Sequence, residues 1–362
     1  MEIKKPCVLK LIFGGSNFKN RFGNLILAKA LKKLINDPLK VTDEMVDGLV
    51  TAFPNLVRKL DGLNVVVRKD VPIKGKVGIL AGGGSGHEPF WLGYTGKGFI
   101  DATVVGAIFS SPTPQPVFEA TKAVDGGAGV LYVLGNYSGD KMNFGIAMEM
   151  AKAQGTRVDM LQVTDDVASA PKGSEDRRRG IAGNIFVLKI AGAKAEEMGT
   201  MEEVKSAVEE VNANLRTMGV ALTPCTIPAV GKPHFVIAED EMELGMGIHG
   251  EPGIERTKMK TADEVTGILA QKILDDLPFE AGDEVVVMVN GLGATPLLEL
   301  LIIFRKLSQI LSKSRIKIHR NYVGNYSTSL EMAGASITLL KLDEELKRLL
   351  DAPATTPYFY QR

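Results

Sequence analysis

The segment that most restricts what this chain can become is an apolar run, Val77-Gly78-Ile79-Leu80-Ala81. It leads straight into Gly82-Gly83-Gly84-Ser85-Gly86-His87-Glu88-Pro89-Phe90. A buried strand emptying into a glycine-rich turn is a unit of an α/β sheet, where ligands lie beyond the carboxyl ends of strands. Glycine there permits positive φ and lets the main chain approach a ligand closely. A second histidine stands in another such turn, Gly245-Met246-Gly247-Ile248-His249-Gly250-Glu251-Pro252-Gly253, in a chain that has only four histidines. The pattern implies a small-molecule site. It lacks the spacing of a dinucleotide fingerprint and the Gly-Lys-Ser/Thr ending of a P-loop, so a nucleotide is not what this loop most obviously holds.

The rest of the chain alternates short strand-like runs with amphipathic helices, the pattern of an α/β protein. Thr42 is placed to cap a helix whose apolar face is Met45, Val46, Leu49, Val50 and Phe53, with Asp43 and Glu44 in its first turn. Residues 76–80, 103–109, 129–134 and 157–163 read as buried strands. The first three are followed by loops over 82–87, 110–114 and 135–140, and the first and last of these are expected to face one crevice. Asp165-Asp166 reads as a solvated loop or helix cap rather than a metal site, and Arg177-Arg178-Arg179 as solvated surface. Val204, Val208, Val211, Leu215 and Met218 form a helical stripe over 201–218, ended by Gly219.

Beyond Gly219 the chain turns proline- and glycine-rich, and a domain boundary is placed there. The expectation is a basic extension over 1–34 and an N-terminal α/β sheet domain with flanking helices over 35–218. A smaller two-layer α/β domain over 219–362 follows, its tail packing back on the first. Thr261-Ala-Asp-Glu264 is a capping box for a helix with Val265, Ile268, Leu269 and Ile273 inward. Residues 284–290 form a β-branched strand leading into Gly291-Leu-Gly-Ala-Thr-Pro296, then a helix to about Ser312 and strands over 316–319 and 335–340.

With 43 basic and 43 acidic residues the chain has no net attraction for nucleic acid. Its apolar stretches fall short of the ~20 residues of a membrane span. Cys7 and Cys225 do not make a disulfide framework, so a reducing, cytoplasmic setting is expected, with Cys225 a small buried filler. The first 34 residues hold Glu2 as their only acid against eight lysines and arginines from Lys4 to Lys33. They suggest a targeting peptide or an early translation start, and the missing apolar segment argues against secretion.

Two histidines and a carboxylate at strand ends, His87, His249 and Asp140, suffice for proton transfer to and from a hydroxyl. His234 and His319 lack the glycine setting and read as structural.

Taken with Ser110-Ser-Pro-Thr-Pro114, Asn136-Tyr-Ser-Gly-Asp140, the segment 241–253 and Asn290–Pro296, the glycine loop resembles the dihydroxyacetone kinase family. More narrowly, it is similar to the dihydroxyacetone-binding subunit of the phosphotransferase-dependent enzyme. The resemblance runs from about Lys32 to the Asp351-Ala-Pro tail. It implies that His249 adds to the substrate ketone as a covalent hemiaminal, which would select short carbonyl compounds over polyols. It further implies that His87 is the acid/base histidine, that Asp140 binds a substrate hydroxyl, and that Gly84, Ser85 and Gly86 supply loop contacts. Gly135 stands where relatives commonly carry a substrate-contacting lysine.

The family's metal-chelating Gly-Asp-Gly-Asp-His-Gly type motif has no counterpart in this chain. The resemblance therefore implies no metal or cofactor here, with magnesium and ADP or ATP on a nucleotide-binding partner subunit. It also implies a phosphocarrier further along and a homodimer. The same scaffold serves dihydroxyacetone sensors in gene regulation, which is the alternative reading.

Overall fold

Odd and even positions along the central strands carry different apolar residues, and the layers of the protein follow from that alternation. The computed structural model describes residues 32–362, and residues 35–362 form one compact unit. The expectations for the N-terminal extension fall, for residues 1–31, outside the described residues.

The first sheet holds β1 (Val57–Lys59), β2 (Val65–Arg68), β3 (Gly78–Ser85), β4 (Ala102–Ile108), β5 (Val130–Gly135) and β6 (Val158–Val163), in the order β1-β2-β4-β3-β5-β6. β4, β3, β5 and β6 run parallel, while β2 pairs antiparallel with β1 and β4. Its helices are α1 (Val41–Ala52), α2 (Pro114–Val124), α3 (Ser138–Ala153), α4 (Asn184–Glu196) and α5 (Met201–Ala213). Leu80, Val104, Val130, Tyr132 and Leu134 face α2 and α3; Ile79, Ala81, Leu131 and Val133 face α4 and α5.

The second sheet contains β7 (Leu215–Ala221), β8 (Glu241–Leu244), β9 (Glu255–Lys258), β10 (Glu284–Gly291), β11 (Lys317–Gly324) and β12 (Gly334–Leu342), in the order β11-β10-β12-β7-β8-β9. Only β10 and β11 run parallel. Val285, Val287 and Val289 face α6 (Ala262–Asp276) and α7 (Leu297–Lys313); Val286, Met288 and Leu340 face the opposite way, into the core built on α4. α4 thus lies between the sheets, with buried residues on every side and no single apolar stripe. α8 (Glu344–Asp351) packs on α4, and the short pair β13 (Ala354–Thr355) and β14 (Tyr360–Gln361) follows, with Thr355 bonded to Lys97.

The α/β class, the capping box at Thr261 and the apolar face of α6 agree with the sequence reading. Four local expectations are corrected. The glycines 82–84 are not a loop: β3 continues through Ser85, because its neighbours press too closely for side chains. A Cβ on Gly82 would stand 2.3 Å from Val104 O, and one on Gly84 would stand 2.5 Å from Ser110 N. Thr42 does not cap α1, which begins at Val41 with Lys40 ahead of it; its hydroxyl instead meets Ser85 Oγ at 3.0 Å.

The helix read over 201–218 stops at Ala213, with Asn214 at its C-cap, and Leu215–Ala221 is a strand whose Leu215 and Met218 continue the helical spacing only by coincidence. Asp165, Asp166 and Arg178 are buried, not solvated. Asp165 accepts from the amides of Ile181 and Gly183, which hold the approach to α4. Arg178 meets Asp276 through two hydrogen bonds of 2.8 and 2.6 Å. A charge taken from water is tolerated there because it is paired.

Candidate functional site

Four chain segments converge at the carboxyl end of the first sheet. β3 delivers His87 two residues past its end, through Gly86 at φ +99°. β5 delivers Tyr137 and, in the first turn of α3, Asp140. The connection between β8 and β9 carries His249, and the connection between β11 and β12 carries Thr328. The two histidine rings, 162 positions apart in sequence, lie edge to face with centroids 4.8 Å apart. Tyr137 packs on His249 at 4.7 Å, and Phe109 stacks on His87 at 4.9 Å. Asp140 reaches back over β3, so that a Cβ on Gly83 would be 3.5 Å from its Oδ2. The glycine run and the segment ending in Asp140 therefore do meet at one crevice.

Hydrogen bonds settle which nitrogen of each ring is available. His87 Nδ1 lies 2.7 Å from the Thr328 carbonyl oxygen, which can only accept, so Nδ1 carries the proton and Nε2 keeps its lone pair. His87 is almost fully buried, and burial, reinforced by the neighbouring His249, lowers its pKa to about 3. It is a neutral acceptor at any ordinary pH.

His249 Nδ1 lies 2.9 Å from Glu251 Oε1, and its backbone amide donates to Glu251 Oε2, also at 2.9 Å. Burial opposes the Glu251 charge, but the bond to His249 and the nearby positive charges prevail, and its pKa falls to about 2. An ionised carboxylate accepts only, so His249 Nδ1 carries a proton and Nε2 is the ring nitrogen that Glu251 does not engage. For Asp140 burial prevails: its pKa rises to about 6, against the opposing pull of the Ser111 hydroxyl and His249.

Three buried polar atoms around these rings, His87 Nε2, Tyr137 Oη and Asp140 Oδ1, make no hydrogen bond within the protein. Such atoms are costly to leave unpaired, and a small polar ligand would satisfy them. Among the described residues no group of three or more His, Cys, Asp or Glu side chains is arranged to hold a metal ion. None of their helices is long and apolar enough to cross a membrane.

The remaining predicted contacts lie close by. The Gly84 main chain, within β3, is pressed against residues 109–110, and the Gly86 amide donates to the Glu88 carboxylate at 3.0 Å. The Ser85 hydroxyl points away, to Thr42. Gly135 ends β5 behind Tyr137; a Cβ there would be 3.0 Å from the Tyr137 ring and 3.1 Å from Gly180 O. His234 lies against Gly250, and His319 pairs with Asp351 at 2.8 Å, neither in the cluster of unpaired atoms. Cys225 is buried against Ser329. Sequence reasoning missed Glu251, Tyr137 and Thr328. Glu251 alone had a local signal, since a carboxylate two residues after a turn histidine can bond its own turn.

Comparison with known proteins gives the family. Residues 47–358 match the Dak1 domain. The chain is 47% identical over 330 residues to the dihydroxyacetone-binding subunit DhaK of PTS-dependent dihydroxyacetone kinase 2 from Listeria innocua, covering 91% of this chain and 99% of that one. Among solved structures it superposes on the dihydroxyacetone kinase of C. freundii with a TM-score of 0.82 and 35% identity, over 91% of this chain and 60% of that one. It superposes equally well, at 0.82 and 31% identity over 88% of this chain and 98% of that one, on a dihydroxyacetone kinase operon co-activator. With the Dak1 match spanning most of its length and a near full-length relative at this identity, the chain belongs to the Dak1 family.

Proposed function

We propose that this protein is the cytoplasmic dihydroxyacetone-binding subunit of a dihydroxyacetone kinase. It holds the substrate covalently on His249 and presents a terminal hydroxyl for phosphorylation on a separate nucleotide-binding subunit. The observation that carries the reading is how His249 is held: Glu251 holds its Nδ1 proton, which leaves Nε2 with a lone pair on a ring packed against His87 and Tyr137.

In the reaction, Nε2 forms a bond to the ketone carbon, the C=O π pair moves onto oxygen, and that oxygen takes a proton from solvent. The ring becomes cationic, and the Glu251 carboxylate on Nδ1 balances its charge. His87 Nε2, a pure acceptor, takes a hydrogen bond from the new hydroxyl. Asp140 Oδ1 would then accept the proton of the terminal hydroxyl as that oxygen bonds to phosphorus. The bond from phosphorus to the donor oxygen breaks, and the leaving group stays with the partner subunit. Glycerol has no electrophilic carbon and cannot form the adduct. Phosphoryl transfer needs positioning and charge stabilisation more than covalent help from protein, so a substrate subunit of this kind suffices on its side of the reaction. Magnesium and nucleotide are assigned to the partner subunit, a phosphocarrier is assigned to recharging it, and a homodimer is the expected assembly.

Dihydroxyacetone labelled with carbon-13 at the ketone tests this directly. Bound to the wild type, the label should move from the carbonyl to the tetrahedral region of the NMR spectrum, and bound to His249→Ala it should not. A carbonyl signal retained in the saturated wild type would overturn the covalent reading. The similarity to an operon co-activator keeps a sensor role as the second reading. Turnover on addition of a nucleotide-loaded partner subunit and its phosphate source supports the kinase; ligand binding without turnover supports the sensor.

A further inference from the structure

The arginine triplet 177–179 has no part in the chemistry above, yet two of its members are committed to carboxylates. Arg178 is held by Asp276. Arg179 turns the other way, toward the His249 segment. Its Nε donates to Asp166 Oδ2 at 2.8 Å, and one terminal nitrogen donates to the Gly245 carbonyl at 2.9 Å. Gly245, at φ +77°, is the first residue after β8 and the start of the turn that carries His249. The other terminal nitrogen lies 2.6 Å from where a Cβ on Gly247 would stand, and Glu251 Oε2 lies 2.2 Å from that same point. Guanidinium and carboxylate thus both crowd the space that a Gly247 side chain would fill, and only a glycine leaves room for them.

Resting on the reading of His249 as the nucleophile, we propose that Arg179 is a positioning residue that acts on His249 through Glu251 and Gly245, fixing the turn so that Nε2 faces the substrate carbon. Hydrogen bonds join Arg179 to Asp166 and to Gly245, and Glu251 to His249, while Arg179 acts on Glu251 through its charge. Together they link the β6–α4 connection of the first sheet to the β8–β9 connection of the second. The groups that face His249 are His87 from the end of β3, Tyr137 and Asp140 from the β5–α3 segment, and Glu251 from its own turn. Those that face Glu251 are His249, Arg179 and Tyr137. Arg179 is the permanent cation among them. Removing it leaves the Gly245 carbonyl and the Glu251 carboxylate without that partner, so the turn should no longer hold His249 Nε2 toward the substrate carbon.

The test is proton NMR of the hydrogen bond between His249 Nδ1 and Glu251 in the ligand-free protein, beside calorimetry of dihydroxyacetone binding at pH 8. In Arg179→Met the downfield Nδ1 proton signal should broaden or vanish, and binding should weaken about tenfold as the turn loses its hold on the ring. Arg179→Lys, which keeps the charge, should recover both. If Arg179→Met does not fold, because Asp166 is left buried without its partner, the double variant Asp166→Asn/Arg179→Met removes that charge and is measured instead. An unchanged Nδ1 signal in a folded variant, or a loss that Arg179→Lys does not reverse, overturns the proposal. Because that signal is read without substrate, absence of an adduct in the wild type would sink the covalent reading and leave this result standing.

Discussion

Asp140→Asn is expected to cripple phosphorylation while making the protein more stable, and the structure gives the size of the second effect. Asp140 is 7% exposed, its Oδ1 has no hydrogen-bond partner in the protein, and burial moves its pKa from 3.8 to about 6. A shift of about two units corresponds to about 3 kcal/mol by which the folded state disfavours the ionised group, at about 1.4 kcal/mol per unit. Asparagine keeps the shape and removes the charge, but its amide hydrogens lack partners as well, which returns roughly 1 kcal/mol. A net gain of about 1–2 kcal/mol follows at pH 8.

The sign of the pH dependence is fixed. A carboxyl whose folded pKa is raised contributes stability only while protonated; that contribution is full below 3.8 and is lost as pH rises through about 6. The advantage of Asp140→Asn should therefore be widest above pH 6 and shrink toward pH 4. Urea unfolding of both proteins at pH 8, 7, 6 and 5 measures it. With the partner subunit present, turnover should fall about 10²–10⁴-fold, the range for losing a general base. A variant less stable than wild type at pH 8, or a gap that does not change with pH, would falsify the account of Asp140 as a desolvated base.

Three further outcomes are expected. His249→Ala should abolish the tetrahedral adduct and the discrimination against glycerol, read by NMR and by competition calorimetry, with weak non-covalent binding surviving. Replacing His87 by Phe should flatten the acid limb of stability. A histidine lowered to about 3 in the fold stabilises fully above its unfolded value near 6.5 and loses that contribution as pH falls, so unfolding curves at pH 7 and 4.5 should converge in the variant. Gly135→Lys should weaken dihydroxyacetone binding and lower the melting temperature together. The position is not in the left-handed region, but its Cβ would stand 3.0 Å from the Tyr137 ring that packs on His249; calorimetry showing tighter binding in a stable variant would contradict this.

What was legible in the sequence depended on whether the physical cause was local. The box at Thr261 declares itself because Glu264 closes it three residues later, and both of its bonds are present. β10 was visible from its β-branched run, buried on both faces. α4 gave no periodic signal because it lies between two sheets, with 11 of its 13 residues buried. The glycines of β3 read as a loop because composition cannot tell a glycine that must turn from one that must leave room. Only Gly86 in that run has positive φ, while Gly82 and Gly84 are dictated by the strand and loop pressing against them.

The site shows the same division at longer range. His87, His249 and Asp140 stood out because glycines surround or precede them. The groups that make their chemistry work did not, because each acts across the fold. Thr328, which fixes the His87 proton, is 241 residues away in sequence. Asp276, which keeps Arg178 from being a surface charge, is 98 residues away. A histidine in a glycine turn is nucleophilic, basic or merely structural according to what holds its second nitrogen. For His249 that partner is the Glu251 carboxylate two residues on, and for His87 it is a carbonyl from the other sheet. Two rings 4.8 Å apart thus come to present lone pairs of different use. The one at His249 is backed by a negative charge and suits bond formation to carbon. The one at His87 is backed by a neutral carbonyl and buried, and suits only the acceptance of a hydrogen bond.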